Sequence, residues 1–286
     1  MKEEMICTQG SLKPKSVTWT AVFLMSVVVS AEPAFAGSIA PDLGMAAPFG
    51  MLGGTISDTG LSVVNGNVGA TTTTSGFPPG TATGTVYLGS NGPSTTVGLA
   101  YTDFESAYTF AAGETATPVN GLTTSQTFDG NTVYSLGTDV TSTAGITLTF
   151  DAQNNSSEAF VLQTSGALTI DGPITFDLTG GALARNIYWI VGTDTTIDPT
   201  GVPLTFDGDI LGQGSFTMSA STGGSGVLAG TINGCVFVET ANTLAGQTDI
   251  NGCSGTTPEP GSAGLAALGC LLGAWYVRRR RARFVE

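Results

Sequence analysis

Laid over one another by their apolar and polar positions, three segments share a pattern: Ile187-Tyr-Trp-Ile-Val-Gly-Thr-Asp-Thr-Thr-Ile197, Ile210-Leu-Gly-Gln-Gly-Ser-Phe-Thr-Met218 and Phe237-Val-Glu-Thr-Ala-Asn-Thr-Leu244. Each ends in Thr followed by a large apolar residue. As strands, alternation buries Ile197, Met218 and Leu244, so Thr196, Thr217 and Thr243 face outward. The threonines recur at intervals of 21 and 26 residues, which suits successive coils of a solenoid whose equivalent positions stack about 4.8 Å apart. Ser215, and Thr193 and Thr240 three residues before two of the outward threonines, are placed beside this file.

The same β-prone character runs through Gly145–Phe150, Ala159–Leu162, Leu168–Ile170, Ile174–Leu178 and Leu204–Phe206, with Asp171-Gly172, Gly180-Gly181, Asp207-Gly208 and Asn233-Gly234 as the breaks. From Gly50 to Gly89 the pieces are shorter and punctuated by Gly and Asn. One stretch, about 97–112, has helical spacing instead, with Leu99, Phe104, Ala107, Tyr108 and Ala111 on one face. Sixteen helical residues reach about 24 Å, the height of some five stacked rungs. With 41 glycines and 8% aromatic residues, thin coils with stacked side chains fit better than a bulky sandwich core. The expectation is an all-β solenoid with one helix alongside, in one domain covering residues 37–254.

Charge narrows the partners. Residues 37–260 hold 18 acidic side chains and one basic one, Arg185, so the basic footprint that nucleic acid requires is missing and no nucleic-acid partner is expected. The chain has no histidine, which removes Ser/His and Cys/His catalysis and the commonest metal ligand. Asp207 and Asp209 flank Gly208 and could in principle serve glycoside chemistry, but an Asp-Gly pair reads first as a tight turn. Trp189 reads as core. No catalytic residue, metal site or cofactor is expected. Cys235 and Cys253 are the two cysteines between the terminal segments, and a disulfide between them would contribute roughly 3 kcal/mol in the chain-entropy model.

Both ends read as addresses. Lys13 and Lys15 precede the apolar run from Val17 to Val29, and Ala34-Phe35-Ala36 offers a small-x-small cleavage site, so residues 1–36 are expected to be a signal peptide. In residues 255–286, Pro258-Glu259-Pro260 precedes an apolar stretch, 261–277, and then Arg278-Arg279-Arg280-Arg281. This order resembles the PEP-CTERM sorting signal of Gram-negative bacteria. The resemblance implies an exosortase-type processing enzyme as partner, transient anchoring in the inner membrane by a transmembrane helix over 261–277, and a secreted or outer-surface destination. The basic tail would stay cytoplasmic.

Seven motifs in order carry a second likeness: Phe49-Gly-Met-Leu-Gly-Gly-Thr-Ile-Ser-Asp-Thr-Gly60, Val64-Asn-Gly-Asn-Val-Gly69, Gly76-Phe-Pro-Pro-Gly80, Ala107-Tyr108, Leu148-Thr-Phe-Asp-Ala-Gln153, Asn186-Ile-Tyr-Trp-Ile-Val-Gly192 and Gly208-Asp-Ile-Leu-Gly212. Residues 40–252 resemble the DUF3494-type ice-binding proteins of microbes. The resemblance implies a right-handed, irregular three-sided β-solenoid with a long helix packed alongside, and a flat face that adsorbs to ice. On that reading Thr193, Thr196, Ser215, Thr217, Thr240 and Thr243 form the ice-contacting surface. The segment Ile210–Met218 departs from the family's pattern with Gly214 in place of Thr, and Asp194 brings a charge to the surface. A structural or adhesive solenoid acting on extracellular polysaccharide is the other reading.

Overall fold

The computed structural model describes residues 39–89, 91–198, 202–219 and 228–253. The expected signal peptide over 1–36, the sorting motif at Pro258, Glu259 and Pro260 and the expected span over 261–277 lie outside the described residues. Every strand ladder is parallel, and the strands fall on three faces of a β-solenoid. Face A stacks Thr117–Pro118, Thr132–Gly137, Phe160–Thr164, Ile187–Val191, Asp209–Gly212 and Val236–Val238. Face B stacks Val140–Thr141, Leu168–Asp171, Thr195–Asp198, Phe216–Met218 and Ala241–Leu244. Face C holds Gln126–Asp129, Thr147–Asp151 and Thr175–Thr179 in one sheet, and Leu204–Asp207, Leu228–Asn233, Gln247–Ile250, Val63–Val64 and Thr81–Ala82 in another.

Each of the three segments aligned in the sequence is therefore two strands, not one. Ile187–Val191 lies on face A and Thr195–Asp198 on face B, with a corner between them. The Asp-Gly and Gly-Gly pairs turn such corners, with φ of +87° at Gly172 and +121° at Gly208, rather than hairpins.

The stack does not follow chain order. Phe49–Asp58 is long enough to cross from face A to face B, and it pairs with the last coil: Met51 with Val236, Thr55 with Ala241 and Ser57 with Thr243. Its other edge pairs with Asn67–Ser75. The crossing needs the pair Gly53-Gly54, because a Cβ on Gly54 would lie 2.4 Å from the Thr240 carbonyl oxygen. From Tyr87 the chain enters the helix Thr96–Gly113, whose 18 residues span about 27 Å. That length carries it past about five to six rungs to the opposite end, from which the remaining coils build back to the first.

Two hydrophobic layers result. Inside the coils, rings form a column: Phe128 and Phe150 have centroids 5.1 Å apart, Phe150 and Phe176 6.2 Å, and Phe176 and Phe206 5.2 Å. Trp189 joins it, 1% exposed, and donates its indole N–H to the Asp207 carbonyl at 3.0 Å. Outside face A, the helix covers Val133, Val161, Tyr188, Ile190, Leu211 and Phe237, so all five residues of Ile187–Val191 are buried on one side or the other.

The helix face differs from the expected one. Val97, Ala100, Phe104, Ala107 and Ala111, spaced three and four apart, are the buried set, whereas Leu99 is 45% exposed and Tyr108 is half-buried. Leu99 is two residues from Val97, which turns it to the far side. Thr95 caps the first turn by accepting the Gly98 N–H at 3.1 Å.

Candidate functional site

Face B carries one polar file along its length. The parallel register aligns Thr141 with Thr169, Thr169 with Thr196, Thr196 with Thr217, Thr217 with Thr243, Thr243 with Ser57 and Ser57 with Ser75. Thr196, Thr217 and Thr243 stand on adjacent rungs, and the residue after each, Ile197, Met218 or Leu244, is fully buried. Thr169 obeys the same rule before Ile170 and was legible in principle. Ser57 and Ser75 were not, because no local pattern shows that an N-terminal strand docks on the last coil.

The residues expected beside the file are separated by the fold. Ser215, two residues before Thr217, lies on face B, and the equivalent positions on neighbouring rungs are Asp194 and Ala241, not Thr193 and Thr240. Thr193 and Thr240 precede the first strand residues Thr195 and Ala241, and both sit exposed in the corner between faces A and B. Three residues from the outward Thr, they would point inward had the strand continued; the corner turns them out instead. There they alternate with glycines, the Thr193 N–H donating to the Gly166 carbonyl, Gly214 to Thr193 and Thr240 to Gly214. Gly214 stands where the family pattern has Thr because a Cβ would meet the Thr193 carbonyl oxygen at 2.4 Å.

Asp194 is tied into the rung above. Its Oδ1 accepts the Ser215 N–H and hydroxyl, each at 2.7 Å, and these bonds hold its carboxyl below the usual carboxylate range. Asp139 accepts the Ala167 N–H at 3.0 Å in the same way. On the other flank Asp171 and Asp198 stack on adjacent rungs. Charge is therefore confined to the half of face B built from Val140 to Asp198. The other half reads Ser215, Thr217 and Ser219, then Ala241, Thr243 and Ala245, then Thr55, Ser57 and Thr59, then Thr73 and Ser75, with the main chains of these rungs linked in register. That area covers four rungs of about 4.8 Å and three outward positions about 6.7 Å apart, a neutral surface of small hydroxyls and methyls.

The other residues considered from the sequence are structural. Cys235 and Cys253 form a disulfide with a Cα–Cα distance of 4.7 Å, joining the last coil to the segment after it. Asp207 and Asp209 are 6% and 2% exposed and face no open cleft together: Asp207 accepts the Asn233 side-chain amide at 2.6 Å, and Asp209 accepts the Cys235 N–H at 3.0 Å. Burial raises the Asp209 carboxyl to about 8 against that one opposing bond, so at neutral pH it is largely a neutral acid.

Comparison with known proteins agrees with this fold. Residues 51–258 match the model of a family described as ice-binding-like, and residues 256–281 match the PEP-CTERM protein-sorting motif. An ice-binding protein of Nostoc sp. (strain HG1) is 31% identical over 84% of this chain and 87% of its own length. One from Flavobacterium frigoris (strain PS1) is 29% identical over 71% and 73%. Among solved structures, an ice-binding protein from the Antarctic ascomycete Antarctomyces psychrotrophicus superposes with a TM-score of 0.62 at 28% identity, covering 74% of this chain and 98% of that one. With its parallel three-faced coil, its flanking helix and a family match across nearly the whole described region, this chain belongs to the ice-binding-like family.

Proposed function

We propose that the protein adsorbs to ice through face B, with its contact area centred on the neutral half: Thr217, Thr243, Ser57 and Ser75, flanked by Ser215, Ala241, Thr55 and Thr73. The observation carrying this reading is the unbroken register of hydroxyl residues on seven adjacent rungs. A rigid row of methyls and hydroxyls at a fixed spacing offers ordered water repeated contacts, whereas a carboxylate imposes its own hydration shell. Thr196 extends the file toward the charged half, and Thr193 and Thr240 form its margin at the corner. The protein works by adsorption, not catalysis. Its C-terminal segment serves export from a Gram-negative cell, with exosortase-type cleavage near Pro258 to Pro260, and the acting form is secreted or held at the outer surface.

The test is growth of a single ice crystal in the purified protein. Thr217→Lys should abolish faceting and growth inhibition while changing stability by only about 0.5 kcal/mol, since the site is on the surface. Thr109→Lys on the helix serves as the control and should leave the activity at the parent level. Undiminished activity in Thr217→Lys would reject face B.

A further inference from the structure

On the corner between faces C and A, remote in register from the threonine file, four equivalent positions form a hydrogen-bonded ladder. The Asn65 amide donates to the Asn251 side-chain oxygen at 3.1 Å, Asn251 to Asn233 at 2.6 Å, and Asn233 to the Asp207 carboxylate at 2.6 Å. In each link the carbonyl oxygen is occupied and one amide proton is spent, leaving Asn233 and Asn251 each a second proton to give. Arg185 lies one coil further along the same corner. Leu183, Ala184, Arg185, Asn233, Asn251 and Gly252 line an open cleft of about 210 Å3.

Arg185 is the one basic residue among 18 acidic ones between residues 37 and 260, yet it forms no ion pair among the described residues, and its Nε is buried without a hydrogen bond. The side chain as a whole is only partly buried and lines the cleft, so its uncompensated charge is open to an acceptor supplied from outside.

We propose that this cleft binds one carboxylate-bearing sugar unit, a uronic acid of an acidic polysaccharide. The guanidinium fork matches a carboxylate in two parallel bonds, the spare amide protons match ring or hydroxyl oxygens, and Leu183 and Ala184 offer an apolar patch to a pyranose face. A cleft of about 210 Å3 suits a single ring. The acidity of the whole chain acts at longer range and is screened beyond about 8 Å at physiological salt. The nearest link of the ladder, Asp207, is largely buried and holds its proton more tightly than a free carboxyl.

The full chain is titrated with a trimer of galacturonic acid, with maltotriose as the neutral sugar and inorganic sulfate as the bare anion, by calorimetry and by the side-chain amide signals of 15N-labelled protein. The trimer should bind and move the Asn233 and Asn251 amide signals, a readout that needs no variant. Arg185→Gln should weaken binding at least tenfold, and Arg185→Lys, which keeps the charge but not the fork, should fall between. Maltotriose and sulfate should each bind at least tenfold more weakly than the trimer. The proposal fails if those amides do not shift up to about 10 mM trimer, a concentration at which even a millimolar site would fill. It fails equally if Arg185→Gln binds the trimer as well as the parent, or if sulfate or maltotriose matches it.

Discussion

Faces B and C are cut from the same sequence habits and end as different surfaces. Both are rich in outward threonine: face C presents Thr127, Thr149, Thr205 and Thr231 at equivalent heights in its strands. Its files are interrupted, however. Asp177 stands beside Thr149 and Asp249 beside Thr231, and Asp129 stacks on Asp151. The sheet also divides between Thr175–Thr179 and Leu204–Asp207, and its register shifts between Leu228 and Gly230. On face B the ladders from Leu168 to Leu244 run without a shift. Threonine content therefore does not distinguish a template from an ordinary strand surface. Continuity of register and freedom from carboxylates are what set the neutral half of face B apart, and these belong to the stack rather than to any one strand.

The comparison can be broken or sharpened by four experiments. Both faces rest on the last coil, which the Cys235–Cys253 disulfide ties down. Replacing both cysteines by Ala should cost roughly 3 kcal/mol and lower the melting temperature in calorimetry, with loss of ice activity at temperatures well below the new transition arguing that the tie shapes face B directly.

Asp209 lies beside that disulfide. Its folded carboxyl is raised to about 8, far above the unfolded value of about 3.9. Between those limits the folded state keeps a proton that the unfolded state has released, so stability falls as pH rises from about 4 to about 8 and levels off above. Asp209→Asn, which keeps an acceptor for the Cys235 N–H, should flatten that slope and stabilise the protein by more than about 1 kcal/mol at pH 8. An unchanged slope in denaturant titrations would assign the pH dependence elsewhere.

Thr243→Lys on face B and Thr231→Lys on face C place the same charge on the same coil of the stack. Each should change stability by only about 0.5 kcal/mol, but only the first should remove ice-growth inhibition. Equal losses would erase the distinction between the faces. The smallest effect is expected at the border of the neutral half: Asp194→Ser should raise inhibition modestly by removing the carboxylate from one flank of the adjoining rung, whose other flank keeps Asp198, at the loss of the two bonds to Ser215. A fall in inhibition would mean that Asp194 positions Ser215 rather than spoiling the face.

By itself the sequence determined the class of fold and much of the file. Alternation put Thr196, Thr217 and Thr243 outside because Ile197, Met218 and Leu244 have to be inside, and burial of a large apolar side chain is the strongest local constraint a strand obeys. The helix was legible for the same reason, with one residue, Leu99, assigned to the wrong side. Only the tertiary structure decided where each coil turns, since a corner depends on how close one backbone comes to the next, as at Gly214 over Thr193. That turn moved Thr193 and Thr240 out of the row with Ser215. Only the tertiary structure brought Ser57 and Ser75 into the file, because it is the helix length, matched to the height of the stack, that returns the last coil to the first strand. The charge distribution over face B follows from that closure, and so does the half of the face on which water meets no carboxylate.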